Sequence, residues 1–295
     1  MTDSAPVPSC ATLYIVATPV GNLEDMSYRA VRILGEVDLI AAEDTRHSLK
    51  LLNHFNITKP LTSYFDHNQQ FKGERILNTL RRGKSVALIS DAGTPCVSDP
   101  GYHLVRDAVA EGINVIPIPG ACAAIAALSA SGLPSDTFTF AGFPPARQGK
   151  RRAFLTNLSG LPGTIMLYEA PHRLVECLGD MLEALGDRQI VVARELTKIY
   201  EEFIRGTVSQ VMASVAQGKV RGEVVILVAP AEQSPEESEP LEAILRRLLD
   251  EEQLSVKDAA RRAAEITGFS RNEAYTEALR LKNSAAPPDC SGITG

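Results

Sequence analysis

The stretch LISDAGTPCVSDPG, residues 88–101, sets Asp91 and Asp99 in a Pro- and Gly-rich loop directly behind a short apolar run. An acid at the end of a buried strand repels an anion and attracts a cation or a hydroxyl-bearing group. Two more turns share the pattern, TPVGN at 18–22 and PIPGA at 117–121, each following an apolar run. Gly21, Gly93 and Gly120 allow backbone to approach a ligand closely. Ligands of an open parallel sheet bind outside the carboxyl ends of its strands, so the three turns are expected along one edge. Asp99, ahead of Pro100 and Gly101, is expected to cap a helix starting at Tyr102.

Neither GxGxxG nor GxxxxGK[ST] occurs in the chain, which argues against a dinucleotide or a triphosphate as the guest of these turns. S-adenosylmethionine fits the acidic edge, because it carries a sulfonium, an ammonium and ribose hydroxyls but no phosphate. Charged side chains recur at other strand ends: Glu43 with Asp44 and Arg46, Glu169, and Glu195 with Lys198. Glu195 and Lys198, three apart, can equally well pair with each other, or Glu195 with Arg194. His172 follows Pro171 at the first turn of an expected helix, a position suited to a structural role. The densest basic run, ARQGKRR at 146–152, offers Arg147, Lys150, Arg151 and Arg152 as contacts for a phosphate backbone. The bland reading of that run is a solvated helix start.

Alternating strands and helices must position these groups. From Leu13 to about Pro119 the runs LYIVAT, DLIAAE, VALIS and NVIPI alternate with helical stretches from Ser27, Thr45 and Tyr102. Short aliphatic strands separated by amphipathic helices imply a parallel sheet covered on both faces. The small-residue stretch GACAAIAALSASGLP reads as a close-packed helix ended by Gly132 and Pro134. A second α/β unit follows, with strands FTFAGF, TIMLYEA, QIVVARE and EVVILVA, helices beginning near Gln148, Pro171 and Thr207, and some antiparallel pairing because connections are short. Beyond the acidic stretch AEQSPEESEP come three short helices, the last two opened by Ser255 and Ser270 and the middle one closed by Gly268, in the outline of a helix-turn-helix. It adds Lys257, Arg261, Arg262 and Arg271 to the candidate cations. The expected organisation is a flexible 1–12, α/β domains at 13–133 and 134–230, an acidic linker at 231–240, a helical module at 241–282 and a disordered tail at 283–295.

The chain has 295 residues, enough for two sizeable cores. A net charge of −6 means that any binding to nucleic acid must come from a local basic patch. Only 5% of residues are aromatic and none is Trp, which argues against broad base-stacking surfaces. Five dispersed cysteines form no CxxC pair, as in a reduced cytoplasmic protein, and the five His have no metal-ligand spacing, so no metal is expected. No apolar run approaches the roughly 18 residues of a membrane helix.

Six motifs, TPVGNLEDMS, AAEDTRHS, SDAGTPCVSDPGYHLV, PIPGACAAIAALSASGLP, YEAPHRL and RELTKIYEE, occur in this order. Together they resemble the signatures of the ribosomal RNA small subunit methyltransferase I family, within the tetrapyrrole-methylase-like methyltransferases. The resemblance runs from about Leu13 to Pro230 and resumes in the helical module. It implies two α/β domains of the tetrapyrrole methylase type. It also implies methyl transfer from S-adenosylmethionine to the 2′-hydroxyl of a cytidine ribose in 16S rRNA of the small subunit, by a cytoplasmic homodimer without a metal.

Carried over residue by residue, the cofactor is expected against Pro19 and Gly21, Asp91, Ala92, Gly93 and Thr94, and Pro119, Gly120 and Ala121. Tyr168, Glu169 and Leu196 would close the cleft from the second domain. The wider fold family commonly has Gly-Pro-Gly-Asp where this chain has Pro19 to Asn22, and the subgroup often has Pro-Gly-Pro-Ser where it has Pro119 to Cys122. Both changes leave backbone contacts intact. Because a 2′-hydroxyl is a poor nucleophile until its proton leaves, a base or a cation should assist. Glu195 or Glu169 is the expected acceptor, with Lys198 lowering the hydroxyl pKa or holding a phosphate. Arg46, Arg147, Lys150, Arg151 and Arg152 are the expected RNA contacts. Two rivals remain: a corrin or sirohaem-precursor methyltransferase of the same fold, which has no need of the helical module, and a non-enzymatic helix-turn-helix regulator, which would need a densely basic recognition helix.

Overall fold

The structure, a computed structural model, describes residues 11–65, 69–216, 218, 222–231, 240–267 and 269–284. The chain divides into two compact units, Met1–Ala231 and Glu232–Gly295.

The first unit contains two sheets. The first is built from β1 (Thr12–Val16), α1 (Tyr28–Glu36), β2 (Leu39–Ala42), α2 (Thr45–His54), β3 (Leu61–Ser63), α3 (Gln69–Arg81), β4 (Val86–Ile89), α4 (Tyr102–Ala110) and β5 (Asn114–Ile118). Its strands are all parallel, in the order β3-β2-β4-β1-β5. The apolar runs explain the layering: Ile33, Leu34 and Leu52 from α1 and α2 pack on one face, and Ile76, Leu80 and Leu104 from α3 and α4 on the other. Each such buried aliphatic side chain stabilises by roughly 1.5–3 kcal/mol. β3 and α3 are absent from the alternation read in the sequence. β3 is a three-residue edge strand of half-buried residues, too short for a periodic signal.

The second sheet follows α5 (Ala123–Ser131). It comprises β6 (Phe138–Phe140), α6 (Gln148–Leu158), β7 (Thr164–Glu169), α7 (Leu174–Leu185), β8 (Gln189–Arg194), β9 (Glu202–Thr207), α8 (Val208–Ala216) and β10 (Val224–Val228). The order is β6-β7-β10-β8-β9, with β6 parallel to β7 and every other pair antiparallel. α6, α7 and α8 cover one face, and α5 covers the other with Ala124, Ala127 and Leu128. The alanines allow α5 to lie close to the sheet, and Gly132 ends it in the left-handed conformation at φ 80°.

The second unit holds α9 (Leu241–Arg246), continued by a π-helical turn (Arg247–Glu251), then α10 (Val256–Thr267) and α11 (Arg271–Ser284). Ile244, Leu248, Ala259, Ala263, Ala274 and Leu281 form its core. Both serine caps are in place: the Asp258 amide donates to Ser255 Oγ and the Glu273 amide to Ser270 Oγ, each at 3.2 Å. Glu273 accepts in return from the Ser270 amide at 3.0 Å, completing a capping box. The expected flexible start up to residue 10, residues 232–239 of the linker, Gly268 and the tail after Ser284 lie outside the described residues. No helix of the described residues is long and apolar enough to cross a membrane.

Candidate active site

The three Gly-containing turns meet through their backbones. After β1, the Thr18 amide donates to the Gly93 carbonyl at 2.8 Å and the Gly93 amide returns a bond to Thr18 at 3.0 Å. Thr18 Oγ1 donates to the Ser90 carbonyl at 3.1 Å. The loop after β4 is tied to the turn after β5 by Thr94 Oγ1, which donates to the Ala121 carbonyl at 3.0 Å. Strands β4, β1 and β5 are neighbours in the sheet, so the edge expected from the sequence is a single physical rim.

This rim walls a cavity of about 240 Å³. Val20, Glu43, Asp91, Ala92, Gly93 and Thr94 line it from the first sheet, and Tyr168, Leu196, Lys198, Glu223 and Val225 from the second. Asp91 is held in place by the Asp44 amide, which donates to its Oδ1 at 3.0 Å. Gly93, at φ +82°, adopts a conformation that L side chains rarely take. Of the expected cofactor set, Pro19, Gly21, Pro119, Gly120 and Ala121 do not line the cavity. A Cβ on Gly120 would stand 2.9 Å from that of Ala17, so this glycine lets the third turn press against β1.

Glu195 and Lys198 both line the cavity, and they pair: Lys198 Nζ lies 3.0 Å from Glu195 Oε1. Two residues of their turn, Glu195 (φ 51°) and Thr197 (φ 66°), are left-handed without being glycine. Such conformations cost of order 1–3 kcal/mol each and concentrate at functional sites. The turn is braced by the Thr197 amide, which donates to Glu201 at 2.6 Å. Glu169 is different. It is fully buried on the opposite face of β7 from Tyr168, ion-paired to Arg173 at 3.2 Å and accepting from the Ala170 amide at 2.7 Å. It does not line the cavity, so the alternation of the strand removes it from the expected proton acceptors.

The Tyr168 hydroxyl accepts from the Ala124 amide at 3.2 Å and so caps α5, whose own N-cap residue, Cys122, makes no side-chain capping bond. Burial, with the Cys122 thiol beside it, pushes this phenol up to about 12. Phe140 and Phe143 pack against its ring, with centroids 4.8 and 5.5 Å away.

Asp99 does not cap α4. The cap is Gly101, which has no side-chain bond, and Asp99 faces the cavity instead. Cys96 (φ 70°) and Ser98 (φ 64°) turn the loop left-handed on the way. Burial, then the charges of Glu43, Asp91 and Glu223, raise the Asp99 carboxyl to about 7, against a hydrogen bond with Ser90. Glu223 was not singled out in the sequence because it precedes a strand. β10 is antiparallel to β7 and β8, with Val224 level with Glu169 and Arg194, so its amino end lies beside their carboxyl ends.

ARQGKRR opens α6, with Arg147 as its N-cap. Arg147 and Lys150 are exposed. Arg151 is only 2% exposed, and its Nε bonds Asp180 at 2.6 Å. Arg152 bonds Asp180 at 2.7 Å and Glu183 at 2.7 Å. Burial works to raise the Asp180 carboxyl, but bonds from Arg152, Arg151 and Gln148 outweigh it and hold it below the usual range. Arg151 is therefore corrected from an RNA contact to the anchor between α6 and α7, and Arg152 is largely engaged in the same cluster. Arg46 remains 91% exposed, weakly paired with Asp44 at 3.5 Å.

Residues 12–212 match the family described as Tetrapyrrole (Corrin/Porphyrin) Methylases, and residues 234–282 match the RsmI C-terminal HTH domain. The chain is 50% identical over 282 residues to the Ribosomal RNA small subunit methyltransferase I of Pseudomonas aeruginosa, covering 94% of this chain and 100% of the relative. It is 45% identical to the protein of that name from Vibrio cholerae, covering 93% and 97%. The chain belongs to the ribosomal RNA small subunit methyltransferase I family. Among solved structures, a cobalt precorrin-4 methyltransferase resembles this family member with a TM-score of 0.57 at 19% identity, covering 76% of this chain and 97% of that one. A uroporphyrin-III C-methyltransferase from Thermus thermophilus, complexed with S-adenyl homocysteine, gives 0.51 at 20%, covering 74% and 97%. Both share the tetrapyrrole methylase fold, and neither comparison on its own says what this family member acts on.

Proposed function

We propose that the chain transfers a methyl group from S-adenosylmethionine to the 2′-hydroxyl of a cytidine ribose in 16S rRNA of the small ribosomal subunit, as a cytoplasmic homodimer. The observation that carries this reading is kinship along nearly the whole chain, helical module included, with relatives whose name states a small-subunit rRNA substrate. The cavity's chemistry supports the cofactor. Carboxylates at Glu43, Asp91, Asp99 and Glu223 suit a cation with ribose hydroxyls, and Val20, Leu196 and Val225 suit an adenine. The complexed S-adenyl homocysteine of the Thermus thermophilus enzyme is in keeping with that match.

When bound, the cofactor supplies an activated methyl group. Asp91 and the backbone at Gly93 hold it from the first sheet, and Tyr168 and Leu196 from the second. Fixing a ribose oxygen against such a donor supplies several kcal/mol of barrier lowering, up to roughly 7–11 in well-oriented systems. Glu195, which lines the cavity, accepts the proton of that hydroxyl, and Lys198 beside it stabilises negative charge on the oxygen or grips the adjoining phosphate. Arg46, Arg147 and Lys150 are the exposed cations of the earlier set, suited to the RNA backbone. The test is incubation with methyl-labelled S-adenosylmethionine together with either small subunits lacking the modification or a tetrapyrrole precursor. Label in RNA alone is expected, and label in the tetrapyrrole alone would transfer the chain to the rival reading.

A further inference from the structure

We propose that Asp99, set among the carboxylates of Glu43, Asp91 and Glu223, is the residue by which the cavity distinguishes the cationic methyl donor from its neutral thioether product. The inference rests on the S-adenosylmethionine reading and deepens it. Donor and product differ by one methyl group, a small change of shape, and by one full positive charge. A cavity that selects between them has charge as its largest lever.

The wall is built for that lever. Among the described residues, five carboxylates line the cavity and Lys198 is the one cation. Lys198 and Glu195 pair with each other at 3.0 Å, and the other four acids, from the end of β2, the two ends of the β4–α4 loop and the start of β10, line the same cavity. Asp91 is committed to the Asp44 amide. Asp99 is half-buried and meets Glu43, Asp91 and Glu223 at once, with Ser90, the Cys96 thiol and the Tyr168 phenol as its other polar neighbours. A carboxyl raised to about 7 is partly protonated at neutral pH. A cation entering the cavity favours the charged form, so the proton leaves Asp99 for solvent as the donor binds. After methyl transfer the positive charge is gone, the carboxylate takes a proton back from solvent, and the attraction that held the donor is withdrawn from the product.

The sign is definite. Below the raised pKa, donor binding must expel a proton and is weakened, and above it the carboxylate is already charged. Affinity for S-adenosylmethionine should therefore rise about five- to tenfold from pH 6 to pH 8 if the bound cation lowers Asp99 by one to two units. S-adenosylhomocysteine should lack this rise. The α-ammonium of the donor titrates lower than that of the product, because its sulfonium disfavours a second positive charge, and Asp99→Asn, which keeps this ligand-borne titration, is the reference that removes it.

The experiment is calorimetric titration of the full chain with each ligand at pH 6, 7 and 8, repeated in buffers of different ionisation enthalpy, for wild type and Asp99→Asn. The proposal expects proton release near pH 7 with the donor in wild type beyond that in Asp99→Asn, and a donor-to-product affinity ratio that falls severalfold and loses the rise from pH 6 to pH 7 in Asp99→Asn. Identical pH dependence of the two ligands in wild type, a result that needs no variant, would overturn it. So would a wild-type affinity ratio in Asp99→Asn. Failure of both ligands to bind would instead overturn the S-adenosylmethionine reading itself, and the proposal with it.

Discussion

Lys198 reaches the cavity past a residue with no side chain. A Cβ on Gly21 would lie 2.8 Å from Lys198 Cγ and 2.9 Å from Thr197 Oγ1. This assigns Gly21 a positioning role in place of the cofactor contact expected from its turn. Gly21→Ala should displace the lysine, and misplacement by about 1 Å suffices for a roughly 10²-fold loss of turnover. Lys198→Ala should lose a similar factor in kcat with little change in S-adenosylmethionine affinity. Equal losses in rate and in cofactor binding would move Lys198 to the cofactor side. The place of Asp91 and Gly93 at the rim of the cavity was legible in the sequence, because parallel strand ends bring their turns together. Asp99 was not, because the expectation that an acid shortly before a helix start caps it is local, and the left-handed backbone at Cys96 and Ser98 overrides it. Glu169 failed for a period-two reason: Tyr168 and Glu169 are adjacent in sequence, so only one of them can face the cavity.

Helices α6 and α7 are joined by Arg151 and Asp180, each 2% exposed. Removing one member of a buried pair strands the other, at a cost of about 3–5 kcal/mol. Asp180→Ala should shift the denaturation midpoint of the first unit accordingly, whereas Lys150→Ala, on the exposed face, should leave it within about 0.5 kcal/mol. A midpoint unmoved by Asp180→Ala would return Arg151 to the pool of available cations. In the helical module, Ser270→Ala removes the N-cap of α11 and should cost about 1 kcal/mol, read as lost helicity and a lower midpoint of that unit. The strongly apolar strands and the serine caps were readable because they rest on local pattern alone. β9 was not, since its half-buried residues carry Glu202, Arg205 and Gly206 and read as part of the preceding motif. The basic run misled because charge in sequence does not report its partner, and Asp180 lies 29 residues away.

The described residues that line the cavity, from Val20 to Val225, all belong to the first unit. A chain ending after Ala231 should therefore fold and retain S-adenosylmethionine binding within about twofold, while losing subunit methylation if the helical module docks on RNA. Loss of cofactor binding in that truncation would contradict the placement of the site. With Arg151 and Arg152 engaged in the α6–α7 cluster, only Arg147 and Lys150 of the basic run are open to phosphates. Replacing both by Ser should reduce the salt slope of subunit binding by at most about 1.8 units. A whole-chain charge of −6 gives no hint of an RNA substrate; that reading came from motif order and from the relatives. The most direct measurement of the central claim is digestion to nucleosides, with mass spectrometry, of 16S rRNA from small subunits that lack the modification and have been treated with the protein and S-adenosylmethionine. The account predicts one new 2′-O-methylcytidine per subunit, and base-methylated cytidine or unmodified RNA would contradict it.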